Sequence, residues 1–209
     1  MKKVIAIVAG ILVFGIAVIL GIAATKPNDT HIERSTIVKA SPETILSNVN
    51  NYRKWAAWSP WEKVDPNMKR TYSGPESGKG AKYAWSGNDN VGEGDMEILS
   101  TEPTKIVFNF HQAKPFEGTS TIVFTAIPEG DASKVTWAMD SKDNPFMCKV
   151  MQVFISMDDC CGKEFEKGLA SLKTVSETSA STAQNAGDAN DTKDAADAPA
   201  TAKKESSDG

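Results

Sequence analysis

PFMCKVMQVFISMDDCCGKEFEKGLASLKTVS, residues 145–176, decides how the rest of the chain is read. Phe146, Val150, Phe154, Met157, Cys161, Phe165, Leu169 and Leu172 recur at three- and four-residue steps, which is the spacing of one helix face. The stretch predicts a single long helix from about Pro145 to Ser176. Its two halves differ in character. Residues 145–157 are apolar over most of the circumference, whereas residues 162–175 are amphipathic. A helix apolar on nearly every side is expected to be covered on more than one side. Gly162 separates the halves and is positioned to kink the helix.

The residues before this helix read as β structure. Turn-bounded segments at 68–73, 80–87, 91–100, 105–113, 117–128 and 133–141 are rich in β-branched and aromatic residues. Their short connections predict antiparallel hairpins. Alternation puts Ile106, Phe108 and Phe110 on one face, with Ile122, Phe124 and Ala126, and Val135, Trp137 and Met139, in the strands that follow. Upstream, residues 31–40 alternate as a strand. Ser41-Pro42-Glu43 then supplies a cap, a first-turn proline and an early acid for a helix presenting Ile45, Leu46 and Val49. Residues 52–58 can form a second helical piece, stopped by Pro60.

One strand, two short helices, six strands and a long C-terminal helix form an order that resembles the START-like, or helix-grip, superfamily, in its polyketide cyclase/dehydrase-like branch. The stretches carrying the resemblance are IERSTIVKASPETILSNVNNYRKWAAWSPWEKVDP (32–66), MKRTYSGPESGKGAKYAWSGN (68–88), VGEGDMEI (91–98) and the helix quoted above. The resemblance covers residues 30–176. It implies an α+β fold, with a curved antiparallel sheet of about seven strands wrapped around the C-terminal helix and a cavity between them. The superfamily hosts lipid carriers, small-ligand binders and cyclases, so fold alone does not fix function. The implied occupant is a hydrophobic small molecule or lipid; the alternatives are a non-catalytic interaction module at the envelope and a cyclase/dehydratase-like enzyme on an apolar substrate. Candidate lining residues are Trp55, Trp58, Trp61, Trp85, Phe108, Phe110, Phe124, Trp137, Met139, Met147, Val150, Met151 and Phe154. The tryptophans bear two readings: they plug one end of the cup as core, or they line its mouth and touch ligand. Each has roughly 200 Å² to bury, worth about 5 kcal/mol before opposing costs.

The ends of the chain depart from this pattern. Lys2-Lys3 precedes an uncharged apolar run, residues 4–24, long enough as a helix to cross about 30 Å of hydrocarbon. A cleaved signal peptide would have a shorter apolar region, so residues 1–25 are expected to be a retained signal anchor. The lysines ahead of it predict a cytoplasmic N-terminus and a domain on the extracytoplasmic, periplasmic side. Residues 177–209 have only alanine as apolar content and are expected to form a disordered acidic tail. They carry seven acids and three lysines, and so account for the whole net charge of −4. A charge-balanced domain with an acidic tail is a poor partner for nucleic acid.

The sequence presents no catalytic motif, metal-ligand spacing or cofactor loop. Glu93, Asp95 and Glu97 alternate on one strand and predict a solvated acidic row. Asp158-Asp159 lies mid-helix in this reading, as a helix-surface pair or as a carboxyl with raised pKa. His111 has no orienting carboxylate near it in sequence. Cys148, Cys160 and Cys161 are read as small core or helix-face residues rather than a disulfide framework.

Overall fold

The structure is a computed structural model that describes residues 1–142 and 145–196, with side chains to 182. The chain runs α1 (Lys2–Thr25), β1 (Thr30–Val38), α2 (Pro42–Val49), 3₁₀ turns at Tyr52–Ala57 and Pro60–Lys63, and β2 (Lys69–Ser73). It continues through β3 (Lys82–Ser86), β4 (Glu93–Glu102), β5 (Lys105–Lys114), β6 (Gly118–Glu129) and β7 (Ala132–Ser141), then α3 (Phe146–Met151) and α4 (Met157–Ala196). The strands form one seven-stranded sheet in the order β1-β7-β6-β5-β4-β3-β2. Every pairing is antiparallel. The sheet grips α4, which packs on β1, β7 and α2.

The inward faces are those the alternation predicts. Ile106, Phe108, Phe124, Ala126 and Val135 are fully buried, and Ile122 and Trp137 nearly so, with Phe110 and Met139 packed at the margin. Ser41 caps α2 by accepting from the Thr44 N–H at 3.2 Å. Pro60 opens a second 3₁₀ turn rather than only ending the first, because its fixed φ suits a first helical position.

The C-terminal segment departs from the single expected helix. The helix breaks at residues 152–156, between α3 and α4. Ser156 accepts from the Asp159 N–H at 3.3 Å, and Asp158 and Asp159 fill the first turn, where negative charge suits the helix N-terminus. Asp158-Asp159 is therefore a helix start and not a mid-helix pair. Gly162 is no kink: a Cβ there would overlap the Arg34 guanidinium, so the glycine is the seat on which Arg34 lies. At its far end α4 continues to Ala196, beyond the Ser176 end expected from apolar periodicity. Val175 and Ala180 are its last apolar residues against the core. The remainder of the expected tail, 197–209, lies outside the described residues.

Candidate functional site: an aromatic plug and a cleft beside the apolar helix

The space between sheet and α4 is filled by interlocking rings. Trp55 and Trp58 project from the first 3₁₀ turn and are 3% and 1% exposed. Their indole N–H groups donate to the carbonyls of Val49 at 2.9 Å and Asn48 at 3.1 Å, tying the turn to the end of α2. Trp58 meets Phe124 and Trp137 edge-on, at 5.8 and 5.7 Å between centroids. Trp137 stacks on Phe165 of α4 at 4.3 Å and 7°. Trp61 packs edge-on against both. Offset and edge-on contacts at these distances are the favourable aromatic geometries.

A second row of rings runs across the sheet. Tyr72, Tyr83, Trp85 and Phe110 stack successively at 5.4, 5.7 and 5.6 Å. β4 passes beneath Trp85 at Gly94, where a Cβ would lie 2.5 Å from the indole. Glu62 closes this side. Its nearly buried carboxylate accepts from Arg70 Nε at 2.7 Å and from the Tyr83 hydroxyl at 2.6 Å.

The candidate lining residues thus separate into two places. Trp55, Trp58, Trp61, Phe108, Phe124 and Trp137 form the plug, and Trp85 and Phe110 belong to the stacked row; Met139 packs at the margin of the same core. Met147, Val150, Met151 and Phe154 lie apart from the plug, on α3 and the turn after it. Met147, Met151 and Phe154 are 51%, 43% and 68% exposed. Phe154 lines a cleft of about 440 Å³ between the start of β1 and the α3–α4 break. Pro27, Val153, Ile155 and Met157 supply further apolar lining, and Lys26, Asp29, Thr30, His31, Gln152, Ser156 and Asp158 supply polar lining. A smaller concavity of about 200 Å³, beside Tyr72 and Arg53, is mainly polar. The larger volume lies in the range of small-molecule sites. The signal that locates it was present in the sequence as the Ser156 cap, which breaks the helix and opens the cleft.

Arg34 fixes one side of the cleft. From the helix-facing side of β1 it donates to both oxygens of Asp158 at 2.9 Å and to Glu166 at 2.8 Å. These bonds hold the Asp158 carboxyl below the usual carboxylate range, the reverse of the raised value that acid–base chemistry would need. Burial pushes the Cys161 thiol up to about 11 and raises that of Cys148, so neither is an activated thiolate. All three cysteines are free. Among the described residues no cluster of three or more His, Cys, Asp or Glu could hold a metal ion.

On the outer face the acidic row is paired across strands. Glu93 meets Lys114 at 3.1 Å, Asp95 meets His111 at 2.9 Å, and Glu97 meets Lys82 at 3.1 Å. His111 therefore has an orienting carboxylate, brought to it by the β4–β5 register. His31 makes a like pair with Asp140 at 2.7 Å. The hydrogen bond to the carboxylate raises the pKa of each imidazole above its ordinary 6.5. A raised folded pKa stabilises the fold below the unfolded value, and that stabilisation is lost as pH rises through the folded one. Both histidines are expected to titrate above 6.5 in an NMR pH series. Asp140→Asn should lower His31 alone, and Asp95→Asn should lower His111 alone. Unmoved midpoints in either variant would contradict the pairing.

Residues 29–177 match the model of the family described as polyketide cyclase / dehydrase and lipid transport. The chain belongs to this family. No functionally curated protein is similar to it in sequence. Solved structures show the same fold at low identity. A Chromobacterium violaceum protein is 13% identical with a TM-score of 0.51, covering 73% of this chain and 99% of its own. The Aha1 dimer from Colwellia psychrerythraea is 18% identical with a TM-score of 0.50, covering 71% and 96%. A Staphylococcus aureus protein of unknown function is 13% identical with a TM-score of 0.51, covering 72% and 96%. At these identities the likeness establishes the fold alone. The family's description joins cyclase chemistry to lipid transport, and this member combines its helix-grip fold with an N-terminal helix long and apolar enough to cross a membrane.

Proposed function

We propose that this chain is a membrane-tethered binding protein for a hydrophobic small molecule or lipid, held in the cleft at the α3–α4 break. The observation carrying this reading is the position of that cleft. It opens where the apolar α1 leaves for β1, with Pro27, Val153, Phe154, Ile155 and Met157 in its wall. A lining that mixes apolar and polar side chains suits a molecule with an apolar body and a polar end. The family's lipid-transport description favours the same ligand class. Binding is preferred to catalysis in this reading because Asp158, at the cleft, is committed to Arg34. The tether is α1, whose 24 residues have the length and apolarity of a span. With Lys2 and Lys3 at its start, the domain lies on the extracytoplasmic side.

The test compares the wild type with Val153→Trp, which fills the cleft from a half-exposed wall position. The wild type should purify with a stoichiometric organic molecule detectable by native mass spectrometry. The variant should lose most of it at an unchanged melting temperature. Equal occupancy in the two proteins would place the ligand elsewhere.

A further inference from the structure

Exposed apolar side chains concentrate on one short stretch of the folded domain. Phe146, Met147, Met151, Phe154 and Ile155 are 49%, 51%, 43%, 68% and 53% exposed, all within α3 and the turn after it. No residue of α3 is buried. Elsewhere in the domain the exposed large apolar residues are scattered singly, as at Ile37, Val64, Leu99 and Ile127. Single exposures are ordinary, whereas a contiguous group marks a contact surface.

The group's place in the fold indicates what covers it. α3 packs on α1, near the end of which Ala23 is fully buried. Lys149 of α3 donates to Asn28 in the link that follows α1. At about 1.5 Å per residue, a span beginning at Lys2 reaches the far edge of a 30 Å hydrocarbon layer about 20 residues on. α3 is therefore held beside the point where α1 leaves the hydrocarbon. Its cation, Lys149, is turned to the link, and Lys26, at the end of α1, lines the cleft with Phe154 and Ile155. Apolar residues facing the acyl region with lysines at the headgroup level is the arrangement of an interfacial segment.

We infer that α3 and the turn at 152–155 dip into the outer leaflet of the bilayer that α1 crosses, so that the α3–α4 cleft opens onto lipid. The occupant of the patch is the acyl region of that leaflet. This inference rests on the membrane-spanning reading of α1 and deepens the proposed binding function. It gives the ligand a route from bilayer to cleft that avoids water.

The test uses the full wild-type chain in phosphatidylcholine vesicles containing a phosphatidylcholine with a diazirine in its acyl chain. After illumination and proteolysis, cross-linked peptides are mapped by mass spectrometry. Cross-links are expected in α1 and in the peptide containing residues 146–155, and not in the one containing Ile127. The paired substitution Phe154→Asp and Ile155→Asp should abolish the 146–155 cross-links and leave those of α1, at unchanged far-ultraviolet circular dichroism. Cross-links confined to α1 would overturn the inference while leaving the tether intact. Cross-links in neither would overturn both. Cross-links at 146–155 in a protein that purifies without any organic ligand would support lipid docking and sink the binding reading alone.

Discussion

Replacing Trp58 with alanine is expected to lower the unfolding free energy by about 4 kcal/mol, the middle of the range for truncating a buried aromatic. Trp58 is 1% exposed and touches Trp55, Phe124 and Trp137. Its loss opens a space bounded on several sides by rigid rings, which cannot collapse into it. It also leaves the buried Asn48 carbonyl without the indole donor, at a further cost of about 1 kcal/mol or more. A domain of ordinary stability has only about 5–15 kcal/mol to lose. Urea denaturation of the full chain in detergent, followed by tryptophan fluorescence, measures the change. A loss below about 1 kcal/mol would show that Trp58 is not part of a packed plug.

The second large effect belongs to Gly94. Alanine there would set a Cβ 2.5 Å from the Trp85 indole and closer still to the His111 carbonyl oxygen. Neither neighbour yields easily. The carbonyl belongs to the paired β5 strand, and the indole is stacked between Tyr83 and Phe110. Overpacking of this kind costs about 1–3 kcal/mol, and the upper end is expected because backbone must move. The near-ultraviolet circular dichroism of Trp85 should change with it. Gly118→Ala is the control, since nothing lies within 4 Å of the point its methyl group would occupy. Equal stabilities for the two variants would contradict the close approach of Trp85 to β4.

The sheet was legible because alternation is a local property. Ile106, Phe108 and Val135 differ in burial from their neighbours for the same reason they alternate in sequence. The cap at Ser41 was legible in the same way. Features that depend on register were not. Asp95 and His111 are sixteen residues apart and meet only because β4 and β5 pair as they do. Gly162 looked like a kink because a glycine's sequence context does not reveal that Arg34 of β1 lies on it. The helix break was legible in principle: Ser156 followed by Asp158 and Asp159 carries the signs of a helix start. The unbroken apolar character of residues 145–157 masked it. That character arises because the segment lies beside α1, not because it is sandwiched in the core. Apolar periodicity also cannot tell a packed interior from a hollow one, so the ring-filled space between sheet and α4 became visible only in three dimensions.

The proposed function requires that this domain hold an apolar molecule. Native mass spectrometry of the full wild-type chain, released from detergent in the gas phase before and after organic extraction, tests it most directly. One additional organic mass per chain is expected, which extraction removes and Val153→Trp fails to retain. A chain that carries only its own mass, even after incubation with lipid vesicles, would contradict it.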